Sequence, residues 1–352
     1  MAPPIHPRRG HTTVLSLTPL SDTNVPVPAW LAIGDSPLPY LGRILAAAPP
    51  EFQAAVLADA PVLYYQFNES AGAAVNHGSL GTGFNAQYLG TPQRAVATGS
   101  GDTGVSFDAE EDYIESAGVA PDELLGNPIF TAEALVFVPA NGFATLWAPF
   151  LHWGPSVGSS ADKTMKSVYF SFSNNNVDRL FAGFYNGGLR TSSPVPLGQW
   201  HHIVWVRQGG NPANTGSTFY VNGVAVSLAD DPALPANGGT PAVEPGVFRI
   251  NRAQDFTRFF TGIIDELALY TRALTATEVR AHLTTLGTPT LDIRRLSPTQ
   301  VEVSWRPAAP GFVLHQSATL KQQDWTPLPS GGVTPSVLTI TPAGQYFRLA
   351  RP

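Results

Sequence analysis

The sequence predicts an all-β protein, and three observations lead there. Charged residues make up only 13% of the 352, about half the roughly 25% of an average soluble domain. Gly and Pro number 33 each, so residues that make turns are abundant. Short runs of β-branched and aromatic residues recur with such turns between them, while a 3.6-residue period is nearly absent. Together these predict a large antiparallel β-sandwich over 51–287, a small C-terminal β-sandwich over 288–352 and an extended Pro-rich arm over 1–50.

The arm carries Pro3, Pro4, Pro7, Pro19, Pro26, Pro28, Pro37, Pro39, Pro49 and Pro50. Each removes a donor and fixes φ, which favours an extended chain. It also holds Trp30, Leu31, Ile33, Tyr40, Leu41, Ile44 and Leu45, more large apolar residues than a disordered tail carries. It is expected to pack on its own sandwich or on a neighbouring chain.

Glu51 to Ala58 reads as a short helix. Strands are expected at Val62–Phe67, Ile129–Val138, Ser167–Phe172, His201–Arg207 and Thr218–Val221. Asn222-Gly223 then separates two apolar runs, the strongest short hairpin signal, because both turn positions need φ > 0. After a strand at Gly262–Tyr270, Thr275 and Glu278 form a capping box that opens a helix with Val279, Leu283 and Leu286 as its stripe. Residues 287–289 read as a linker. In the tail, Val301, Val303 and Trp305 alternate onto one strand face.

Several functional classes are excluded. Net charge is −6 without any Lys/Arg run, so a nucleic-acid footprint is missing. There is no cysteine, hence no disulfide, thiolate metal site or Cys nucleophile. No apolar stretch approaches the ~18 residues of a membrane span. Arg8 and Arg9 precede an apolar run that Pro19 cuts short, which does not make a clear signal peptide.

The order of motifs resembles a known family. Val56 to Gly72, Gly104-Val105-Ser106-Phe107-Asp108, Gln199 to Val204, Tyr220-Val221-Asn222-Gly223 and the closing Gly262 to Tyr270 run with Arg272-Ala273-Leu274-Thr275 are similar to successive landmarks of bacterial and phage laminin-G-like domains. The resemblance spans about 56–286 and implies a concanavalin-A-like jelly roll. The tail, with Trp305, Trp325 and Gln345 to Leu349, more loosely resembles a fibronectin-III-like domain. Laminin-G-like domains mostly bind glycans, proteins or other surface ligands, often with a structural calcium, while some relatives of the same jelly roll are glycosidases.

Candidate sites follow. The resemblance implies that Asp265 helps hold calcium, together with backbone oxygens near the first strand and its turn; Asp108, Asn68 and Glu69 are candidate supplements. Calcium wants six to eight oxygens, and the plainer reading is that Asp265 accepts backbone N–H bonds and organises a strand crossing. A glycosidase needs two carboxylates flanking the sugar. Relatives carry them on one strand face as E-x-D-x-x-E, which this sequence lacks, and strand alternation sends Asp265 and Glu266 to opposite faces. Gly34-Asp35-Ser36 resembles an esterase nucleophile block but has neither the α/β scaffold nor the late Asp-x-x-His partner. His201 and His202 are neighbours, so they face opposite ways and cannot chelate one metal. Trp147, Trp153, Tyr185, Phe256 and Phe259, with Phe260 beside them, are candidate sugar-stacking rings, against a plainer role in the core.

The expected function is therefore non-catalytic: surface adhesion or glycan recognition, outside the cell or on a virion. The alternative is a phage decoration or fibre-type subunit that assembles through residues 1–50. A glycoside hydrolase is a distant third.

Overall fold

The computed structural model describes residues 15–17, 50–98, 102–108, 111–140, 148–155, 164–173, 178–210, 215–234, 239–252, 259–286, 290–297, 299–306, 313–318, 321, 324–328, 335–339 and 345–350. Two eight-stranded antiparallel sheets form the main sandwich. The back sheet runs Val224–Val226, Ser217–Val221, Gln199–Gln208, Ile129–Val138, Thr261–Tyr270, Thr103–Asp108, Gln93–Ala97, with Leu63–Tyr65 on the second half of Thr261–Tyr270. The front sheet runs Leu228–Asp230, Gly187–Thr191, Arg179–Phe184, Val168–Ser173, Ala148–Trp153, Val247–Ile250, Tyr113–Val119, Ala86–Leu89. This is the all-β jelly roll that the sequence predicts.

Alternation explains the layer between the sheets. Phe170, Phe172, Ala182 and Phe184 point inward from the front sheet, as Phe130, Ala132, Ile203 and Trp205 do from the back. Phe130 stands edge-on to Trp205 at 4.6 Å and to Trp153 at 5.0 Å. Each such ring buries on the order of 200 Å², about 5 kcal/mol at most.

A second core lies outside the back sheet. Helix Pro50–Ala58 starts with Pro, whose fixed φ suits the first helical position. Helix Ala276–Thr285 has its capping box fully formed, with Thr275 accepting from the Glu278 amide and Glu278 from the Thr275 amide. The two helices lay Phe52, Val56, Val279 and Leu283 over Tyr64, Leu135, Val204 and Tyr270 of the sheet. The hairpin at Asn222 and Gly223 takes φ 52° and 75°, as its sequence requires.

The tail has its own small core around Val301, Val303, Trp305, Leu314 and Phe347. Its strands make a three-stranded and a four-stranded sheet. Leu15–Leu17 supplies the fourth strand, pairing with Gln345–Ala350. The remainder of the arm, with Gly34-Asp35-Ser36, lies outside the described residues, as does the expected linker 287–289.

Candidate functional site

Polar residues gather at three places in the main sandwich. The first is where the closing strand Thr261–Tyr270 changes neighbours. Thr261 to Ile264 pair with Thr103–Asp108, and Leu267 to Leu269 with Leu63–Tyr65. On its other side the register against Ile129–Val138 shifts between Asp265 and Ala268, and Glu266 takes φ 52°. This bulge overrides the strict alternation expected from sequence. Asp265 and Glu266 therefore do not diverge: with Asp102, their oxygens lie within 4.8 Å of one another, all buried. Gly104 permits the approach, since a Cβ there would meet the Ile264 carbonyl at 2.6 Å.

The cluster is tied to its surroundings. The Tyr64 hydroxyl donates to Glu266 Oε2. Asn68 Nδ2 donates to Asp102 Oδ2 at 3.3 Å, and the Thr103 amide to Asp102 Oδ1 at 2.7 Å. Burial, with the Asp102 charge beside it, pushes the Glu266 carboxyl up to about 8.

The second place lies beneath the two helices. Glu133, unexposed, accepts from Tyr270 OH at 2.9 Å and contacts His202 Nε2 at 2.6 Å. His282 Nδ1 approaches the same carboxylate at 2.9 Å, and its Nε2 reaches Asp59 Oδ2 at 2.9 Å. Arg272 closes the chain, with Nη2 2.6 Å from Asp59 Oδ1 and Nη1 3.0 Å from Glu278 Oε1. Burial opposes charge on His282, but the Glu133 and Asp59 carboxylates outweigh it and hold the imidazole up to about 9. Burial likewise opposes ionisation of Glu133, yet His282 and His202 hold its carboxyl well below the usual range.

The third place is the outer face of the front sheet. Cross-strand register sets Gln87, Glu115, Arg249, His152, Tyr169, Gly183 and Gly188 in one row. Arg249 Nε donates to Glu115 Oε2 at 2.7 Å. The His152 ring meets Tyr169 edge-on at 4.9 Å, and Tyr169 stacks on Tyr185 at 6.4 Å. His152 is fully buried, and among the described residues neither ring nitrogen has a hydrogen-bond partner. Burial, reinforced by Arg249, holds it down to about 3.

Elsewhere on the sandwich rim, a cleft of about 300 Å³ is lined by Thr191, Ser193, Pro194, Val195, Pro196, Val221, Val226 and Ser227, with no charged side chain among them. His201 is turned to this end, with Nε2 2.6 Å from the Pro196 carbonyl, while His202 points the other way into the Glu133 network. The two neighbours thus face apart, as strand alternation requires.

The structure brings together some of the residues singled out from the sequence and separates others. Asp265 does stand among carboxylates, but they are Asp102 and Glu266. Asp108 is exposed and pairs with Thr261, four residues back along the strand, about 13 Å away at 3.3 Å per residue. Asp108 and Asp265 therefore cannot share one ion. Asn68 does reach the cluster, whereas Glu69 accepts instead from the Val75 amide and Tyr88 OH.

Trp153 is not a loop ring: it is unexposed, packed on Phe130 and Phe248, and its indole donates to the Leu124 carbonyl at 3.2 Å. Phe260 is also core. Tyr185 and Phe259 are half-buried, the former on Tyr169 and the latter 5.6 Å from the Arg252 guanidinium. Trp147 and Phe256 lie outside the described residues. His152 was set aside as a metal ligand for lack of a partner at fixed spacing, and Glu133, Arg249 and His282 were not singled out. For Glu133 the one signal was an acidic residue in an otherwise apolar strand.

A laminin-G-type family profile, described as the concanavalin A-like lectin/glucanases superfamily, matches residues 108–280. Among curated proteins no sequence matches. Solved structures similar in part include the Trypanosoma rangeli sialidase, at 15% identity and TM-score 0.42, covering 63% of this chain and 32% of that one. Domain 4 of AbnA, a GH43 extracellular arabinanase from Geobacillus stearothermophilus in complex with arabinotriose, is 18% identical at TM-score 0.42, covering 63% of this chain and 97% of that one. The binding domain of Paraclostridial Mosquitocidal Protein 1 is 13% identical at TM-score 0.46, covering 77% and 64%. The chain thus spans about a third of the sialidase's length. Motif order, the two antiparallel sheets and the profile agree, and residues 108–280 are a concanavalin A-like lectin/glucanase superfamily domain.

Proposed function

We propose that the chain is a non-catalytic binding protein that recognises a glycan or other surface ligand through its main sandwich, outside the cell or on a particle surface. The superfamily holds both lectins and glucanases, so the fold alone is neutral and the site must decide. What carries the reading is how the buried carboxylates are used. Glu133 is engaged by two histidines and a tyrosine, and Glu266 by Tyr64, both without exposure. An acid–base pair for glycoside hydrolysis must flank a bound sugar, about 5 to 9.5 Å apart, and sealed carboxylates are poorly placed to do so. The reading predicts binding by the full chain to an immobilised oligosaccharide array, with no release of reducing ends. Silence on every glycan, or turnover of one, overturns it.

Calcium belongs to the same proposal. Asp102, Asp265 and Glu266 gather hard oxygen donors, which fits calcium by type, although three carboxylates are fewer than the six to eight oxygens it takes. An ion there would supply positive charge among the three carboxylates and so tie the closing strand to the start of Thr103–Asp108. Melting in calcium against a chelator checks this: a higher Tm in calcium that Asp265→Asn abolishes is expected, and identical curves contradict it. In the alternative of a virion subunit, the arm would lace onto neighbouring chains. The pairing of Leu15–Leu17 with Gln345–Ala350 uses part of the arm within one chain instead, which favours the surface-binding reading.

A further inference from the structure

The rim cleft of about 300 Å³ opens where the chain crosses from one sheet to the other. Val224–Val226 belongs to the back sheet and Leu228–Asp230 to the front, so Ser227 alone makes the crossing. Two stretches line the cleft: this crossing with Val221 beside it, and the segment from Thr191 to Pro196 that follows the strand Gly187–Thr191. Val195 belongs to the core between the sheets, and Val221 and Val226 pack half-buried against that core. The inter-sheet core therefore reaches water here, with Ser193, Pro194, Pro196 and Ser227 exposed around it.

The lining is held in place by bonds of its own. The Ser192 amide donates to the Ser227 carbonyl at 2.8 Å, which joins the two stretches. The Val195 amide donates to the Asp178 carbonyl at 2.6 Å, and Thr191 Oγ1 to the Ser193 carbonyl at 2.7 Å. Behind Pro196, burial holds the His201 imidazole down to about 4, so the ring is neutral. It donates from Nε2 to the Pro196 carbonyl at 2.6 Å and accepts at Nδ1 from Asn222 Nδ2 at 3.1 Å. A site fixed in this way loses little freedom when it is filled.

The chemistry of the cleft narrows its ligand. Its volume lies at the small end of ligand pockets and suits one ring-sized unit. Neither a charged side chain nor an aromatic ring lines it, so an anion finds no counter-charge and a bare pyranose face finds no ring to stack on. The valines and prolines offer aliphatic surface, while Ser193 and Ser227 offer hydroxyls that both donate and accept. A methyl group against the valines, with hydroxyls at the mouth, uses both halves.

We propose that the rim cleft binds one uncharged sugar unit that carries a methyl group, a deoxyhexose or an N-acetylated hexosamine, with the methyl against Val195, Val221 and Val226 and the ring hydroxyls on Ser193 and Ser227. The inference rests on the glycan-binding reading above and names its site and ligand class.

The test uses the full chain and an array of neutral oligosaccharides that end in a deoxyhexose, in an N-acetylated hexosamine or in a hexose without a methyl. Wild type is expected to hold a methyl-bearing end about tenfold more tightly than the plain hexose, and the two methyl-bearing arms show which sugar supplies the group. Ser193→Trp and Ser227→Trp each plug the cleft from an exposed position. Each is expected to lose about tenfold or more in affinity with its Tm nearly unchanged. Equal binding by either folded variant overturns the site while leaving the glycan reading intact. A preference for the plain hexose, or none among the three ends, overturns the ligand class, and no binding at all overturns both. Should both variants fold poorly, methyl NMR of the wild type decides: the methyls of Val195, Val221 and Val226 must shift when the sugar that scores on the array is added, and unshifted methyls overturn the site.

Discussion

The two outer faces of the sandwich bury polar side chains to the same depth and treat them differently. Behind the back sheet, Glu133, Tyr270, His282, Asp59 and Arg272 answer one another through short contacts, and His202 Nδ1 is left over among the described residues. On the front sheet His152 is buried just as fully, with no hydrogen-bond partner among the described residues. A satisfied network specifies how two helices dock, because every member loses something if the helices shift. A buried group without partners specifies nothing in the fold, and its cost is recovered only if something else supplies the bonds. Depth of burial is thus a poor guide to role, and the state of the hydrogen bonds is the better one.

The largest effect that could break this comparison is at Glu133. Glu133→Ala leaves His282 and His202 without their shared carboxylate, and breaking a buried charged network costs about 3–5 kcal/mol. Urea denaturation should show a loss of that size, with Tm down by on the order of 10 °C. A loss under about 1 kcal/mol would mean the network is idle.

Next comes pH. Folded His282 keeps its proton up to about 9, whereas an unfolded histidine releases it near 6.5. Its contribution is therefore complete below pH 6.5 and disappears as pH rises through 9. Stability should fall by about 1–3 kcal/mol across that window, and His282→Gln should flatten the slope. A curve that is flat or rising there in the wild type contradicts the charge assignment.

Trp153 sharpens the comparison from the interior. Trp153→Phe removes the indole bond to Leu124 and part of a packed ring, for about 1–3 kcal/mol, and glycan affinity of the folded protein should not change. Lost affinity at full stability would return Trp153 to the ligand surface.

The smallest effect is expected at His152. Replacing an unpaired buried imidazole by Phe removes no hydrogen bond and lifts a desolvation cost, partly offset by the larger ring, so stability at pH 7 should rise by about 1 kcal/mol. The acid side should improve. Folded His152 takes up a proton only near 3, so the wild type loses stability as pH falls from 6.5 toward that value, and the variant should lose less. An unchanged acid slope would show that His152 is not buried as described.

Much of the fold was legible because its signals are local. The capping box at Thr275 and Glu278, the Asn222-Gly223 turn and the closing strand each need only a few adjacent residues, and each formed as read. The first strand was shorter than expected, Leu63–Tyr65, since Phe67 turns to φ 55°. The site was far less legible. Period-two alternation sends Asp265 and Glu266 apart, and only the register shift against Ile129–Val138 brings them together. The row through Glu115, Arg249 and His152 depends on pairing between segments 134 residues apart. No window of sequence contains that register. Trp153 was misplaced for a related reason, because an aromatic between turns looks the same whether its strand faces core or solvent.

The most direct measurement of the central claim is hydrogen–deuterium exchange of the full chain with and without a neutral glycan that it binds. The account predicts new protection in peptides of the main sandwich, between the strands Leu63–Tyr65 and Thr261–Tyr270, with the tail strands Gln300–Arg306 and Gln345–Ala350 unchanged. Protection confined to the tail strands, or none anywhere, would contradict it.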